Sequence, residues 1–212
     1  MNLFPFNDPD LIEAGCDEAG RGCLAGPVFA AAVILPKDFE HDWLKDSKKM
    51  TEKRRYILRD IIQENAIAWA IGQASEAEIE KINIANASYL AMHRAIKGLK
   101  VEPQMLLVDG KYFKSYTTTP HICVIKGDNK FAAIAAASVL AKTYRDDYMK
   151  HLAEEWAFYE WEINKGYPTQ RHQNAILQYG ISPYHRKSFK LAGETLNERF
   201  DPTSVLIKKD AL

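Results

Sequence analysis

Four acidic residues define the chemistry this sequence can support. Asp17 and Glu18 follow the apolar stretch "LIEAGC" and come just before Gly20-Arg21-Gly22. Asp109 follows "LLV", and Asp128 follows "VIKG". Each stands at a predicted strand end or strand–helix junction, where neighbouring strands bring distant residues to one point. Carboxylates gathered there repel. Two unit charges about 4 Å apart cost about 4 kcal/mol at an effective dielectric near 20. Protonation or a bound cation must relieve that cost. No His or Cys belongs to the set, so every ligand would be a hard oxygen. That selects Mg²⁺ or Mn²⁺ over zinc.

Taken singly, each acid has a simpler explanation. Asp17 and Glu18 can be turn residues. Adjacent side chains on a strand face opposite ways, so Glu18 joins the same site only if the strand ends there. Asp109-Gly110 is a common hairpin pair. Asp128 suits the N-cap of a following helix. The functional case rests on their joint placement.

The elements that must position these acids alternate along the chain. Residues 11–17 and 26–36 read as an antiparallel strand pair around the glycine turn. Thr51 caps a predicted helix through about residue 65, with Ile57, Leu58, Ile61 and Ile62 on its buried face. A third strand is expected at 66–75, then helices near 76–81 and 85–98. Short apolar strands follow at 104–110 and 121–128. Residues 129–156 form an alanine-rich helix, expected to break near its middle. Residues 157–212 are richer in Pro, Gly, Tyr and His, with one helix around 170–179. This order predicts an α/β fold: a mixed sheet with helices on its faces. The expected division is a body of residues 1–150 with a helical segment, 151–212, packed on it.

Totals set the outer limits. The 212 residues are 47% hydrophobic, enough for one substantial core. Lys+Arg and Asp+Glu are both 28, so only local clusters, such as 45–59, speak for a nucleic-acid partner. Cys16, Cys23 and Cys123 show no paired or zinc-like spacing and are expected to be reduced thiols. The N-terminal stretch lacks the pattern of a secretion signal, and the longest apolar run, 131–141, is too short to span a bilayer. A cytoplasmic monomer without membrane contact is the expectation.

Seven ordered stretches carry a family likeness. They are "DEAGRG" with "AGPV" (17–28), "DSKKM" (46–50), "LLVDG" (106–110), "IKGD" (125–128), "AAASVLAK" with "RD" (135–146), "KGYPT" (165–169) and "HRKSF" (185–189). Together they resemble bacterial ribonuclease HII along most of the chain. The resemblance implies a ribonuclease H-like fold, with a five-stranded mixed sheet, flanking helices and a C-terminal helical segment. It implies hydrolysis of the RNA strand of RNA–DNA hybrids and incision 5′ of single ribonucleotides embedded in duplex DNA. The products would carry a 3′-hydroxyl and a 5′-phosphate. It places the catalytic and metal-binding acids on Asp17, Glu18, Asp109 and Asp128, around two divalent ions, Mg²⁺ or Mn²⁺.

The resemblance also assigns the neighbours of those acids. The turn Gly20-Arg21-Gly22 would read the 2′-hydroxyl through its backbone, because glycine lets backbone groups approach closely, with the Arg21 side chain on the neighbouring phosphate. Tyr167 would sense the ribo–deoxy junction. Lys48, Lys49, Ser138 and Lys142 are candidate phosphate contacts, although Lys142 has an alternative partner in Asp146 one helical turn on. His172, His185 and Arg186 are expected in surface or cap roles, with nucleic-acid contact as the alternative. Two departures stand out: Cys23 occupies the family's usual proline position, and "AKTYRD" replaces "AKVTRD". Cys23 is expected to loosen the turn and expose a thiol. No clamp-binding peptide is evident in 197–212. The rivals are a junction nuclease of the same broad fold and a hybrid-binding module with vestigial acids.

Overall fold

The computed structural model describes residues 3–44, 50–191 and 194–196. Its centre is a five-stranded sheet in the order β3-β2-β1-β4-β5. The strands are β1 (Glu13–Ala19), β2 (Val28–Ile34), β3 (Ala68–Ala74), β4 (Met105–Asp109) and β5 (His121–Val124). β1–β2 and β2–β3 pair antiparallel, whereas β1–β4 and β4–β5 pair parallel. This is the mixed sheet the sequence predicts. Leu106, Leu107 and Val108 of β4 are buried, whereas β5 is an edge strand on which Val124 is buried and Ile122 is exposed.

The helices are α1 (Glu52–Asn65), α2 (Glu76–Lys97), α3 (Ala132–Glu155), α4 (Trp161–Asn164) and α5 (Gln170–Tyr179). Thr51 caps α1 as expected, accepting from the Arg54 N–H. Only Leu58 and Ile62 of its apolar set are buried, and Ile57 is 41% exposed. The true stripe is narrower than the sequence suggests. The two helices expected at 76–98 form one element with a break at Asn83, whose φ is 65° and ψ 165°. Ser75 and Glu78 close its start as a capping box. α3 runs unbroken through 155 and starts after an extended Phe131, so Asp128 is not its N-cap.

Small residues let α3 lie close on the sheet. A Cβ at Gly15 of β1 would fall 2.1 Å from the Ala133 carbonyl carbon, and Ala135, Ala136, Ala137 and Ala141 are wholly buried there. On the other face, Ala87, Ala91 and Ala95 of α2 pack on Ala30, Ala32 and Ala74. β1 alternates accordingly: Ala14 and Cys16 face the α2 side, while Gly15 meets α3. Asp17, two residues on, shares the Gly15 face. A third cluster joins Leu24 and Ala25 of the glycine turn to Met149, Trp156, Tyr159, Trp161 and Ile176. The tail is thus anchored on the turn beside the acids.

Candidate active site

β1, β4 and β5 are parallel, so their C-terminal ends meet at one edge of the sheet. That edge carries the acids. Asp17 is 7% exposed, and one of its oxygens accepts the Glu18 N–H at 2.7 Å. β1 continues one residue past Glu18, so the predicted condition that the strand stop there is not met. Glu18 nevertheless interacts electrostatically with both Asp17 and Asp109.

Burial, then the Glu18 charge, raises the Asp17 carboxyl well above its usual range. A hydrogen bond with Ser138 opposes that rise, and the Asp109 charge adds to it. Burial raises Glu18 as well, against its bond to the Arg21 guanidinium at 3.0 Å. Asp109 ends β4, and its Oδ1 accepts the Gly127 N–H at 2.6 Å. The next residue, Asp128, is 3% exposed and accepts from Asn129 Nδ2 at 3.0 Å, and it is not among the charges that act on Asp17 or Glu18. Because β4 and β5 are parallel, Asp109-Gly110 makes no hairpin.

Among the described residues, no three His, Cys, Asp or Glu side chains are set closely enough to hold a metal ion. The donor chemistry does fit one: Asp17, Glu18 and Asp109 are oxygen donors in mutual repulsion, and a hard cation relieves that repulsion.

Beside the acids opens a cleft of about 330 Å³, lined by Glu18, Gly20, Arg55, Ser138, Lys142 and Tyr167 among others. Gly20 has φ +97°, and a Cβ there would fall 2.0 Å from Arg145 Nε. Gly22 is different: a Cβ would meet nothing within 4 Å, and the residue is exposed. Gly20 therefore serves the fold, whereas Gly22 leaves its backbone open to a ligand. The Arg21 side chain is 52% exposed. Lys142 takes its alternative partner, with Nζ 2.5 Å from Asp146 Oδ1, and still lies 5.2 Å from the Tyr167 ring centre. Lys48 and Lys49 lie outside the described residues.

Two buried arginines hold this wall together. Arg145 donates to the carbonyls of Ala25, Pro27 and Lys165 at 2.8–3.1 Å. Arg186 donates to Gly26 and to the Arg21 carbonyl at 2.7–2.9 Å. Arg186 is thus wholly buried rather than a surface or cap residue. So are His172 and His185, whose Nε2 atoms are 3.2 Å apart, with Trp161 Nε1 donating to His172. Burial pushes His172 down to about 4 and holds His185 well below the usual imidazole range, which favours the neutral form of both rings.

Cys23 also departs from expectation. It is wholly buried and its thiol is pushed up by burial, which makes it unreactive rather than exposed. Sequence reasoning missed Arg55 in the cleft and the structural task of Arg145. Arg55 lay inside a charge run, and the "RD" at 145–146 was the available signal for Arg145.

Comparison with known proteins agrees with this arrangement. Residues 14–192 match the family model described as Ribonuclease HII. A Ribonuclease HII of Bacteroides fragilis is 61% identical over 198 residues, covering 93% of this chain and 98% of that protein. The RNase HII of a PCNA complex from Archaeoglobus fulgidus superposes with a TM-score of 0.72 at 25% identity, covering 89% of this chain and all of that one. The ribonuclease H2 of Pyrococcus horikoshii shares the fold, with a TM-score of 0.71 at 24% identity, covering 89% of this chain and 98% of that one. With the matched span taking in the acids, the glycine turn and the tyrosine loop, the chain belongs to the ribonuclease HII family of RNase H hydrolases.

Proposed function

We propose that this chain hydrolyses the RNA strand of RNA–DNA hybrids and incises 5′ of single ribonucleotides in duplex DNA. The products are a 3′-hydroxyl and a 5′-phosphate. The observation that carries this reading is the electrostatic coupling of Asp17, Glu18 and Asp109 beside a cleft flanked by the glycine turn and Tyr167. Asp17, Glu18 and Asp109, with Asp128 adjoining, would hold two divalent ions, Mg²⁺ or Mn²⁺. Such ions activate water and neutralise charge on the leaving oxygen. Ser138 bonds to Asp17 and so supports its charged form.

The remaining residues select and seat the substrate. Gly22 offers its open backbone to the 2′-hydroxyl, the one group that distinguishes RNA from DNA. Gly20 gives the turn its shape, and Arg186 fixes the Arg21 carbonyl beside it. The Arg21 guanidinium contacts the adjoining phosphate. Tyr167 packs against the sugar at the ribo–deoxy junction. Lys142, Lys48 and Lys49 contact phosphates. We take residues 1–150 as the catalytic body and 151–212 as a segment packed on it, in a cytoplasmic monomer. No described helix is long and apolar enough to cross a membrane.

A pair of duplexes tests the reading. One carries a single ribonucleotide; its twin is all DNA. Only the first is cut, EDTA stops the reaction, and Mg²⁺ or Mn²⁺ restores it. Cutting of branched all-DNA substrates would favour the junction nuclease. Binding without any metal-dependent cut would favour the hybrid-binding module.

Arg21→Ala separates reading from gripping. A charge-assisted hydrogen bond is worth about 1.5–3 kcal/mol, so activity at isolated ribonucleotides drops at least roughly tenfold. Long hybrids, with many phosphate contacts, lose less. An equal loss on both substrates, measured as kcat/KM, would instead make Arg21 a general phosphate contact.

A further inference from the structure

The catalytic edge of the sheet has a second flank that the proposed function leaves unused. The glycine turn joins β1 to β2, so it lies on the β2 side of the acids. β4 and β5 run parallel to β1, so the residues that follow them emerge at the same edge, on the opposite side. Those residues are strongly basic. Between 110 and 130 the chain has Lys111, Lys114, Lys126 and Lys130 against one acid, Asp128. This imbalance is local, since the chain as a whole is neutral. All four lysines are exposed.

Two of them lie close to the acids. Lys111 is two residues past Asp109, so their Cα atoms are at most about 7–8 Å apart. Lys126 directly precedes Gly127, whose N–H bonds Asp109 Oδ1 at 2.6 Å. Lys126 is also in the left-handed region, with φ 56° and ψ 45° and no side-chain cap bond. A non-glycine residue rarely holds that strained conformation, and such strain concentrates at functional sites. Between the two amines stands Tyr112 in sequence, 68% exposed, with Lys111 Nζ 5.1 Å from its ring centre. Lysines interleaved with an exposed aromatic ring suit a sugar–phosphate backbone, which offers charge and flat apolar sugar faces together.

We propose that Lys111, Tyr112 and Lys126 form a second nucleic-acid contact, gripping the duplex backbone on the far side of the acids from Gly20-Arg21-Gly22. This inference rests on the reading of the chain as a hybrid nuclease. It makes the acids the middle of a track rather than its end.

The test uses an all-DNA duplex in Mg²⁺, which the proposed activity does not cut, so binding is measured without turnover. Fluorescence anisotropy across a salt series gives both affinity and salt slope. Each lost phosphate contact lowers the slope of log K against log salt by about 0.9. The double variant Lys111→Gln/Lys126→Gln lowers it by nearly two and weakens binding about tenfold at low salt. Tyr112→Leu weakens binding without changing the slope. Lys97→Gln, at the end of α2 that feeds the other edge of the sheet, is the charge control.

An unchanged slope and affinity in the double variant would overturn the proposal. So would an equal effect from Lys97→Gln, or competition by poly-glutamate as strong as that by DNA, which would mark an acidic polypeptide as the partner. Failure of the nuclease reading shows elsewhere: the wild type would leave a single-ribonucleotide duplex intact while the slope result still stood.

Discussion

Asp109→Asn lowers hybrid cleavage by roughly 10³-fold or more while leaving the fold intact. The scale follows from the loss of one pre-positioned charged group at the reacting centre. Asparagine keeps an Oδ1, so the 2.6 Å bond from the Gly127 N–H survives. Only the charge is lost. That charge repels Asp17 and Glu18, so its removal does not lower the melting temperature of the metal-free chain. What disappears is the rise in melting temperature when Mg²⁺ or Mn²⁺ is added, because a ligand stabilises only the state that binds it. Two measurements, single-turnover cleavage and melting with and without metal, separate a lost ligand from a lost fold. Normal turnover in this variant would falsify the assignment of Asp109 to the metal set.

Of the four acids, Asp109 stands at the strand end the sequence predicts, because a short apolar strand announces its own end, whereas β1 runs on past Glu18 and β5 stops at Val124, before Asp128. "LLVD" needs no long-range information to be read as a buried strand finishing on a carboxylate. The mixed sheet followed from the alternation of such strands with helical periods. What sequence could not supply was pairing between distant segments. Asp109-Gly110 has the local chemistry of a hairpin, but β5 runs parallel to β4, so the pair simply turns the chain away. Asp128 resembles an N-cap, yet α3 starts later, at Ala132. Arg145, Arg186, His172 and His185 are residue types usually found at the surface or part-buried. Their burial depends on partners up to 165 residues away, such as the Arg21 carbonyl held by Arg186. No local pattern encodes that. Ser138 was expected to contact phosphate; its bond with Asp17 was not foreseen, and it follows because α3 lies on the β1 face that presents Asp17.

Arg145→Met destabilises the whole protein and takes substrate discrimination with it. The side chain is wholly buried and its guanidinium is the shared donor for three carbonyls, of Ala25, Pro27 and Lys165. Methionine fills similar volume but donates nothing, so three buried acceptors lose their partner. The expected loss is about 3–5 kcal/mol, from the cost of leaving buried acceptors unpaired. In a chain of this size that lowers the melting temperature by roughly 10 °C. Arg145→Lys rescues little, since a single ammonium cannot reproduce a planar fork aimed at three oxygens. The same fork explains why position 20 admits no side chain: a Cβ there would stand 2.0 Å from Arg145 Nε. Ala25 and Pro27 follow the glycine turn, and Lys165 precedes the Gly166-Tyr167 loop, so Arg145 ties the two segments that flank the cleft into one wall. Folded Arg145→Met should therefore lose more activity at single embedded ribonucleotides than on long hybrids, measured well below its melting temperature. A melting temperature within a degree or two of wild type would show that the wall is held by its apolar contacts alone.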